Sequence, residues 1–133
     1  MNQEKGRGDA ILVVDDEPQL LRLLTRVLER TGSLIYSAAN AEQAMAVFND
    51  RHREIGLAVL DVNIPPSGVG ALLESMLELR ENLPVIMTSG DALSSELSDR
   101  LRACRGIFLR KPFSPKAVLR ATQQALGLGE EGE

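Results

Sequence analysis

The chain has 133 residues, of which 44% are hydrophobic and 26% charged, and its formal net charge is −4. This length fits one domain of ordinary size, and the composition is that of a globular protein rather than of a disordered or fibrous one. The acidic balance and the scarcity of aromatic residues argue against nucleic acid binding, and no apolar run is long enough to span a membrane.

The first part of the chain alternates between strand and helix patterns. Ala10–Val14 reads AILVV, a continuous apolar run typical of a strand buried on both faces. Apolar residues then recur at helical spacing up to Gly32, which is placed to end a helix: Leu20, Leu23, Leu24, Val27 and Leu28. Leu34–Ala38 is a weaker strand candidate. Asn40 can cap a helix over residues 41–48, whose apolar face is Ala44, Val47 and Phe48.

The second part repeats this alternation three times. Residues 57–60 and 85–88 predict strands, and residues 71–80 between them carry apolar positions at helical spacing. Residues 93–104 predict a more polar helix and residues 106–109 a short fifth strand. Ser114 is a suitable N-cap, with proline next to it, for a last helix that ends near residue 126.

Five strands alternating with five helices predict one parallel sheet covered on both faces, because each parallel connection needs a right-handed crossover. We expect one domain over residues 10–126, a flexible polar lead over residues 1–9 and a flexible acidic tail over residues 127–133. The lead lacks the apolar centre of a secretory signal, so a cytoplasmic location is expected. The single cysteine, Cys104, has no partner for an intramolecular disulfide.

Reactive side chains follow four of the five predicted strands. Asp15, Asp16 and Glu17 come after the first strand, and Asp61 comes after the third. Ser89 follows the fourth strand and Lys111 the fifth. The carboxyl ends of parallel strands share one edge of a sheet, where ligands bind at the point of reversed strand order. We therefore expect these residues to converge on one pocket.

The chemistry of this set favours phosphoryl transfer. Carboxylate oxygens without histidine or cysteine suit a hard divalent cation such as Mg²⁺, which also binds phosphate oxygens. A carboxylate beside such a metal can attack a phosphoryl group and form an aspartyl phosphate. A lysine and a hydroxyl would spread the charge of the equatorial oxygens.

Four motifs occur in this order along the chain: VVDDE at residues 13–17, LDVNIPP at 60–66, PVIMTSG at 84–90 and KPF at 111–113. Together they resemble the receiver domain of two-component response regulators over residues 10–126. The resemblance implies a doubly wound flavodoxin-like fold with strand order 2-1-3-4-5. It implies a phosphoacceptor of a phosphorelay, with no enzymatic activity beyond self-phosphorylation from a phosphodonor and autodephosphorylation.

The resemblance also implies a partner and a metal site. Asp61 would accept the phosphoryl group from a sensor histidine kinase or a histidine phosphotransfer protein. Mg²⁺, or Mn²⁺ in its place, would be held by the side chains of Asp15, Asp16 and Asp61 and by the backbone carbonyl of Asn63, with Glu17 a less certain neighbour. The downstream target would be a protein, and a phosphorylation-dependent homodimer is among the expected assemblies.

The remaining matched residues concern the phosphoryl group and its readout. Three residues would contact the phosphoryl group: Ser89, Gly90 and Lys111. Ser89 and Phe108 would form the switch that changes the output surface, Asn63 and Asp91 would tune hydrolysis, and the peptide bond before Pro112 would be cis. The loop departs from the family pattern, because Ile64 replaces the usual Met and Val69 occupies the usual Gly position.

Several alternatives remain open. The acidic residues after the first strand can cap a helix, Ser89 can be a turn residue and Phe108 can be core. His52 is expected in a solvated loop, and three arginines are expected on a wet helix face: Arg100, Arg102 and Arg105. A phosphatase with an aspartyl intermediate would ordinarily have a second aspartate where Asn63 stands, and a flavin module would need a phosphate-binding loop where VVDDEPQ stands. The sequence leaves open whether this is a free-standing regulator or the receiver of a larger hybrid kinase.

Overall fold

The computed structural model describes residues 10–66 and 68–127. The lead expected over residues 1–9 and all of the expected tail except Gly127 lie outside the described residues. The elements follow one another as β1 (Ala10–Val14), α1 (Pro18–Glu29), β2 (Leu34–Ala38), α2 (Ala41–Arg51), β3 (Ile55–Asp61), α3 (Val69–Leu79), β4 (Val85–Ser89), α4 (Ser95–Ala103), β5 (Ile107–Arg110) and α5 (Pro115–Ala125). None of the described helices has the length and apolar character needed to cross a membrane.

The five strands form one parallel sheet in the order β2-β1-β3-β4-β5, which confirms the predicted fold class. Val14 pairs with Leu60, and Leu60 pairs with Met87, so β1, β3 and β4 end at nearly the same level. The strand order reverses between β1 and β3. A crevice at such a reversal is where doubly wound sheets bind ligands.

The sheet is buried on both faces because its strand residues alternate between two apolar clusters. Leu12, Leu60 and Met87 pack on one side with side chains of α2 and α3. Val13, Val59 and Ile86 pack on the other side with side chains of α1 and α5. Residues of one strand that are two positions apart share a face, so this alternation also fixes the side on which each strand-end residue projects.

The helix starts follow local hydrogen-bonding chemistry. The side chains of Asn40, Ser94 and Ser114 accept hydrogen bonds from the backbone N–H groups of Gln43, Leu97 and Ala117, which satisfies donors that the first helical turn leaves free. The expected caps at Asn40 and Ser114 are therefore confirmed. Ser94 moves the start of α4 two residues beyond the predicted one.

Other element boundaries differ from the predictions by a few residues. β3 begins at Ile55 rather than residue 57, and α3 spans Val69–Leu79 rather than residues 71–80. α2 continues to Arg51, β4 includes Ser89, and β5 is shifted by one residue to Ile107–Arg110. Leu23, which was expected on the apolar face of α1, is 40% exposed. Spacing alone does not show how wide a helical face the neighbouring elements cover.

A larger residue would be strained at Gly68 because of its backbone conformation, and at Gly106 because of its close neighbours. Gly68 has a φ of 92°, in the region that favours glycine, and it precedes α3. This glycine, rather than one at position 69, makes the turn after β3. At Gly106 a Cβ atom would clash with the side chain of Leu101 and approach the carbonyl oxygen of Val85 to 3.1 Å.

Candidate functional site

Three carboxylates converge at the carboxyl ends of β1 and β3. One oxygen from each of Asp15, Asp16 and Asp61 lies within 4.8 Å of the others. Asp15 and Asp61 are 1% and 3% exposed, whereas Asp16 faces solvent. The sheet topology brings these residues together because β1 and β3 are neighbours, although they are distant in sequence. The expected convergence of the acidic residues is present.

Lys111 supplies the positive charge of this cluster. Its Nζ lies 3.3 Å from Oδ2 of Asp15, 3.3 Å from Oδ1 of Asp61 and 3.9 Å from Oε1 of Glu17. Its backbone N–H donates to the carbonyl oxygen of Ser89, which fixes the chain where it leaves β5. One ammonium therefore faces three carboxylates, and the site keeps an excess of negative charge.

Burial and neighbouring charges change the acidity of two of these groups. Burial raises the pKa of Asp15, and the negative charge of Asp61 adds to this, against the lowering effect of the Glu17 N–H and of Lys111. Burial by itself would lower the pKa of Lys111, but the charges of Asp15 and Asp61 outweigh it and the pKa is raised. Lys111 therefore stays charged, and an ionised Asp15 is disfavoured.

The two oxygens of Asp15 differ in their surroundings. Oδ1 accepts a hydrogen bond from the Glu17 backbone N–H at 2.9 Å. Oδ2 is buried, and its contact among residues 10–66 and 68–127 is the ion pair with Lys111 rather than a hydrogen bond. Lys111 is the cation nearest to this oxygen, but its one positive charge is shared with Asp61 and Glu17 and compensates the buried carboxylate only in part. This oxygen and its two acidic neighbours fit a hard divalent cation.

Asp61 makes its polar contacts through one of its two carboxylate oxygens. Its Oδ1 accepts from the Asn63 backbone N–H at 3.4 Å and pairs with Lys111. The hydrogen bonds and ion pairs that Asp61 makes with the described residues all fall on Oδ1. The second oxygen, Oδ2, is therefore the one with freedom to bond to an incoming group.

Two adjacent hydroxyls end β4, and they face opposite sides of the sheet. Ser89 is 3% exposed, and its Oγ accepts a hydrogen bond from the Asp91 N–H at 3.0 Å, which is a turn bond. Thr88 is 1% exposed and pairs in register with Asp61. Its hydroxyl has no hydrogen-bond partner among the described residues. Nothing in the sequence around Thr88 indicates that its hydroxyl would be buried without a partner.

The other matched residues lie around this centre. Gly90 is exposed, and a Cβ at this position would meet nothing within 4 Å. Asp91 is exposed just beyond it, and Asn63 is exposed beside Asp61. The peptide bond between Lys111 and Pro112 is cis, as is the bond between Pro65 and Pro66. Phe108 is 37% exposed on the edge strand β5, so the alternative of ordinary core packing is wrong for this conformation.

His52 and the three arginines lie away from the carboxylate cluster. His52 is not a solvated loop residue: it ends α2, half-buried, with Nδ1 3.2 Å from the carbonyl oxygen of Phe48. Arg100 pairs with Glu74 of α3 and Glu96 of α4 at 3.7 and 3.8 Å. Arg102 is exposed on α4, as expected of a wet helix face, whereas Arg105 is exposed in the turn beyond the end of α4.

The sequence matches the family model of the response regulator receiver domain over residues 11–123. A probable transcriptional regulator, ycf27, from Porphyridium aerugineum is 35% identical over 114 residues, which cover 83% of this chain and 45% of that protein. The chain thus spans less than half the length of this relative.

Solved receiver structures have the same fold. A CheY-like response regulator receiver domain protein from Methanospirillum hungatei superposes with a TM-score of 0.81 at 28% identity, covering 95% of this chain and 99% of that one. The CheX–CheY complex from Borrelia burgdorferi, which contains BeF3 and Mg, matches with a TM-score of 0.79 at 25% identity, covering 93% of each chain.

Proposed function

The chain belongs to the response-regulator receiver family, and on that premise we propose that it accepts a phosphoryl group on Asp61 from a sensor histidine kinase or a histidine phosphotransfer protein. The receiver would comprise residues 10–126. The observation that carries this proposal is the convergence of Asp15, Asp16, Asp61 and Lys111 at the carboxyl ends of three strands. A cytoplasmic location stays a prediction from the sequence.

Asp61 is the best nucleophile of the cluster because its neighbours leave Oδ2 free. Lys111 and the Asn63 N–H both contact Oδ1, which orients the carboxylate and leaves Oδ2 without a contact of this kind among the described residues. In the proposed step Oδ2 bonds to phosphorus, and the donor leaves with the electron pair of its own bond to phosphorus. The product is an aspartyl phosphate.

Mg²⁺ is the proposed cofactor, with Mn²⁺ able to replace it. The side chains of Asp15, Asp16 and Asp61 and the backbone carbonyl of Asn63 would hold the metal. The buried Oδ2 of Asp15, which accepts no hydrogen bond from the described residues, supports this assignment. Bound there, the ion supplies positive charge for the phosphate oxygens. Lys111 adds a second positive charge, and the exposed Gly90 leaves space for the phosphoryl group.

The response to phosphorylation is proposed to use Ser89 and Phe108. A phosphoryl group brings about 1.5 to 2 negative charges, which attract a nearby hydroxyl. Ser89 would exchange its bond from the Asp91 N–H for one to the phosphoryl oxygens. Phe108, exposed on β5, would then turn inward and change the surface offered to a downstream protein or a second copy of the chain. Asn63 and Asp91, exposed beside the site, would tune hydrolysis.

The test is incubation with acetyl phosphate and Mg²⁺, followed by intact mass measurement. We expect the wild-type protein to gain one phosphoryl group, and we expect no gain in Asp61→Asn or in the presence of a chelator. Asp99→Asn is a matched control, because Asp99 is exposed on α4 and pairs only with Arg102 among the described residues. A wild-type protein that stays at its unmodified mass under donor excess would refute the proposed function.

A further inference from the structure

Thr88 lies in the layer directly beside Asp61. The two residues are register partners on β3 and β4, and the Val62 N–H donates to the Thr88 carbonyl oxygen at 2.9 Å. Adjacent strands lie about 4.8 Å apart, and paired residues project to the same side of a parallel sheet. Val59 and Ile86, two positions earlier on each strand, both pack in the α1/α5 cluster, which is therefore the side that Asp61 and Thr88 share.

The Thr88 hydroxyl lacks a partner in this conformation. It is buried, and no donor or acceptor among residues 10–66 and 68–127 meets it. The other buried threonine, Thr122, satisfies its hydroxyl locally by donating to the Val118 carbonyl oxygen at 2.9 Å. A buried hydroxyl without a bond is unfavourable, and valine would fill the same volume without that cost. The hydroxyl at position 88 therefore points to a partner in another state of the site.

Asp61 is the acceptor that can become available. In the present state Oδ1 is taken by Lys111 and the Asn63 N–H. Under the proposed function, on which this inference rests, Lys111 shifts to the phosphoryl oxygens once Asp61 is phosphorylated. Oδ1 is then the carbonyl oxygen of the acyl phosphate and the Asp61 oxygen that remains for the proposed metal. The position beside it that Lys111 had occupied becomes open to another hydrogen-bond donor. Thr88 and Asp61 project to the same side of neighbouring strands, so a rotation about the Cα–Cβ bond of Thr88 can turn its hydroxyl toward β3.

We propose that the Thr88 hydroxyl stabilises the leaving carboxylate of Asp61 during hydrolysis and so shortens the lifetime of the phosphorylated state. The water oxygen bonds to phosphorus while the bond between phosphorus and Oδ2 breaks, and its electron pair returns to the Asp61 carboxyl. Both protons of the water leave with the product, dihydrogen phosphate. Negative charge develops on the carboxyl in this step, and a hydrogen bond to a charged oxygen is stronger than one to a neutral carbonyl.

The direction of the effect distinguishes this role from a general loss of structure. Hydrogen bonding to the carboxyl favours the form in which it is charged, so it accelerates departure of the phosphoryl group and does not accelerate attack by Asp61. Removing the hydroxyl should slow hydrolysis more than it changes phosphorylation by acetyl phosphate. A misfolded or loosened site would impair phosphorylation as well.

The experiment measures loss of phosphoryl mass after removal of the phosphodonor. We expect Thr88→Val to hydrolyse about tenfold more slowly than wild type, the effect of one hydrogen bond to a charged group, and Thr88→Ser to remain near the wild-type rate. Thr122→Val is the matched control, since it also removes a buried threonine hydroxyl, and its rate should be unchanged. Thermal unfolding of the two unphosphorylated proteins checks that Thr88→Val is at least as stable as wild type.

Two results would overturn the inference. One is a Thr88→Val protein that loses phosphate at the wild-type rate, and the other is a Thr88→Ser protein that is as slow as the valine variant, since the hydroxyl would then not be the cause. Both leave the proposed function intact, because that proposal is tested separately, by the gain of phosphoryl mass in the wild-type protein and its absence in Asp61→Asn.

Discussion

The Lys111 ammonium lies 3.3 Å from Oδ1 of Asp61, although Asp61 ends β3, Lys111 follows β5, and β4 lies between these two strands. The same ammonium lies 3.3 Å from Asp15, so it neutralises part of the charge on both carboxylates. Because Lys111 contacts the oxygens that a divalent cation would use, a metal bound there would compete with the lysine for the same negative charge.

Replacement of Lys111 by Met should expose this competition. Without metal, we expect the free energy of unfolding to fall by roughly 1–3 kcal/mol, because two buried carboxylates lose their cation. The increase in Tm on adding Mg²⁺ should be larger than in wild type. Thermal unfolding with and without Mg²⁺ measures both effects. As the control, Lys116→Met replaces an exposed lysine on α5 and should change the free energy of unfolding by no more than about 0.5 kcal/mol.

The stabilisation from Lys111 has a defined pH window. The folded pKa of Lys111 is raised above 10.5 once the charges of Asp15 and Asp61 outweigh burial. Its contribution is therefore fully present below 10.5, the unfolded value, and is lost as the pH rises through the folded pKa. The stability difference between wild type and Lys111→Met should shrink in that alkaline range. A constant difference there would contradict the assigned ion pairs.

Asp15→Asn should separate stability from metal binding. Burial raises the pKa of Asp15 above 3.8, so its ionised form reduces stability above the folded pKa, and stability recovers as the pH falls through that pKa. We expect the variant without metal to be more stable at neutral pH by roughly 0.5–2 kcal/mol. Its amide oxygen can still accept from the Glu17 N–H.

The same variant should lose most of the response to Mg²⁺. At a metal concentration ten times the dissociation constant, binding contributes about 1.4 kcal/mol to the wild-type protein. Titration of Tm against Mg²⁺ measures this difference, with Asp50→Asn on exposed α2 as the control. An unchanged Mg²⁺ response in Asp15→Asn would remove Asp15 from the set of metal ligands.

Tyr36 offers a clean titration, because the chain has one tyrosine and no tryptophan. Its hydroxyl donates to Oε1 of Glu54 at 2.9 Å, and burial together with this bond raises its pKa above 10.0. The contribution of this hydroxyl to stability is lost as the pH rises through the folded pKa. A pH titration followed by ultraviolet absorbance should give a tyrosine pKa above 10.0 in the wild-type protein and a pKa closer to 10.0 in Glu54→Ala. The control variant Glu42→Ala should keep the wild-type pKa.

Phe108 should report on the phosphorylated state. Because its side chain is 37% exposed, Phe108→Ala should lower the free energy of unfolding by roughly 1–2 kcal/mol, less than the 3–5 typical of a buried phenylalanine.

Addition of beryllofluoride with Mg²⁺ should slow amide exchange in β5 of the wild-type protein. Ser89→Ala should keep the exchange pattern of the unmodified state. Equal protection in both proteins would mean that Ser89 does not control this strand.

Arg80 connects the end of α3 to the chain that leads into β3. Its Nη1 donates to the carbonyl oxygens of His52 and Ile55, each at 2.6 Å. Arg80→Met keeps most of the apolar stem but leaves both acceptors without their charged donor, so we expect a loss of roughly 1.5–3 kcal/mol. Arg102→Met, on the exposed face of α4, should change stability by no more than about 0.5 kcal/mol in the same denaturant titration.

Much of the fold could be predicted because its signals are local. The apolar run of β1 and the caps at Asn40 and Ser114 depend on residues next to each other in sequence, and the structure has them where expected. Boundaries were less predictable where a neighbouring segment decides them. β3 extends back to Ile55 because β1 pairs with it there, and no residue near Ile55 indicates that pairing.

The sequence by itself determined which reactive residues follow which strands, because strand periodicity and the residues after each strand are written in short segments. Only the tertiary structure decided which side-chain oxygens are buried without a hydrogen bond. Oδ2 of Asp15 and the hydroxyl of Thr88 make no hydrogen bond with the described residues, because the pairing of distant strands decides which donors come within reach of them. Hydrogen bonding and burial depend on distances between segments far apart in the chain, and those distances exist only once the sheet has formed.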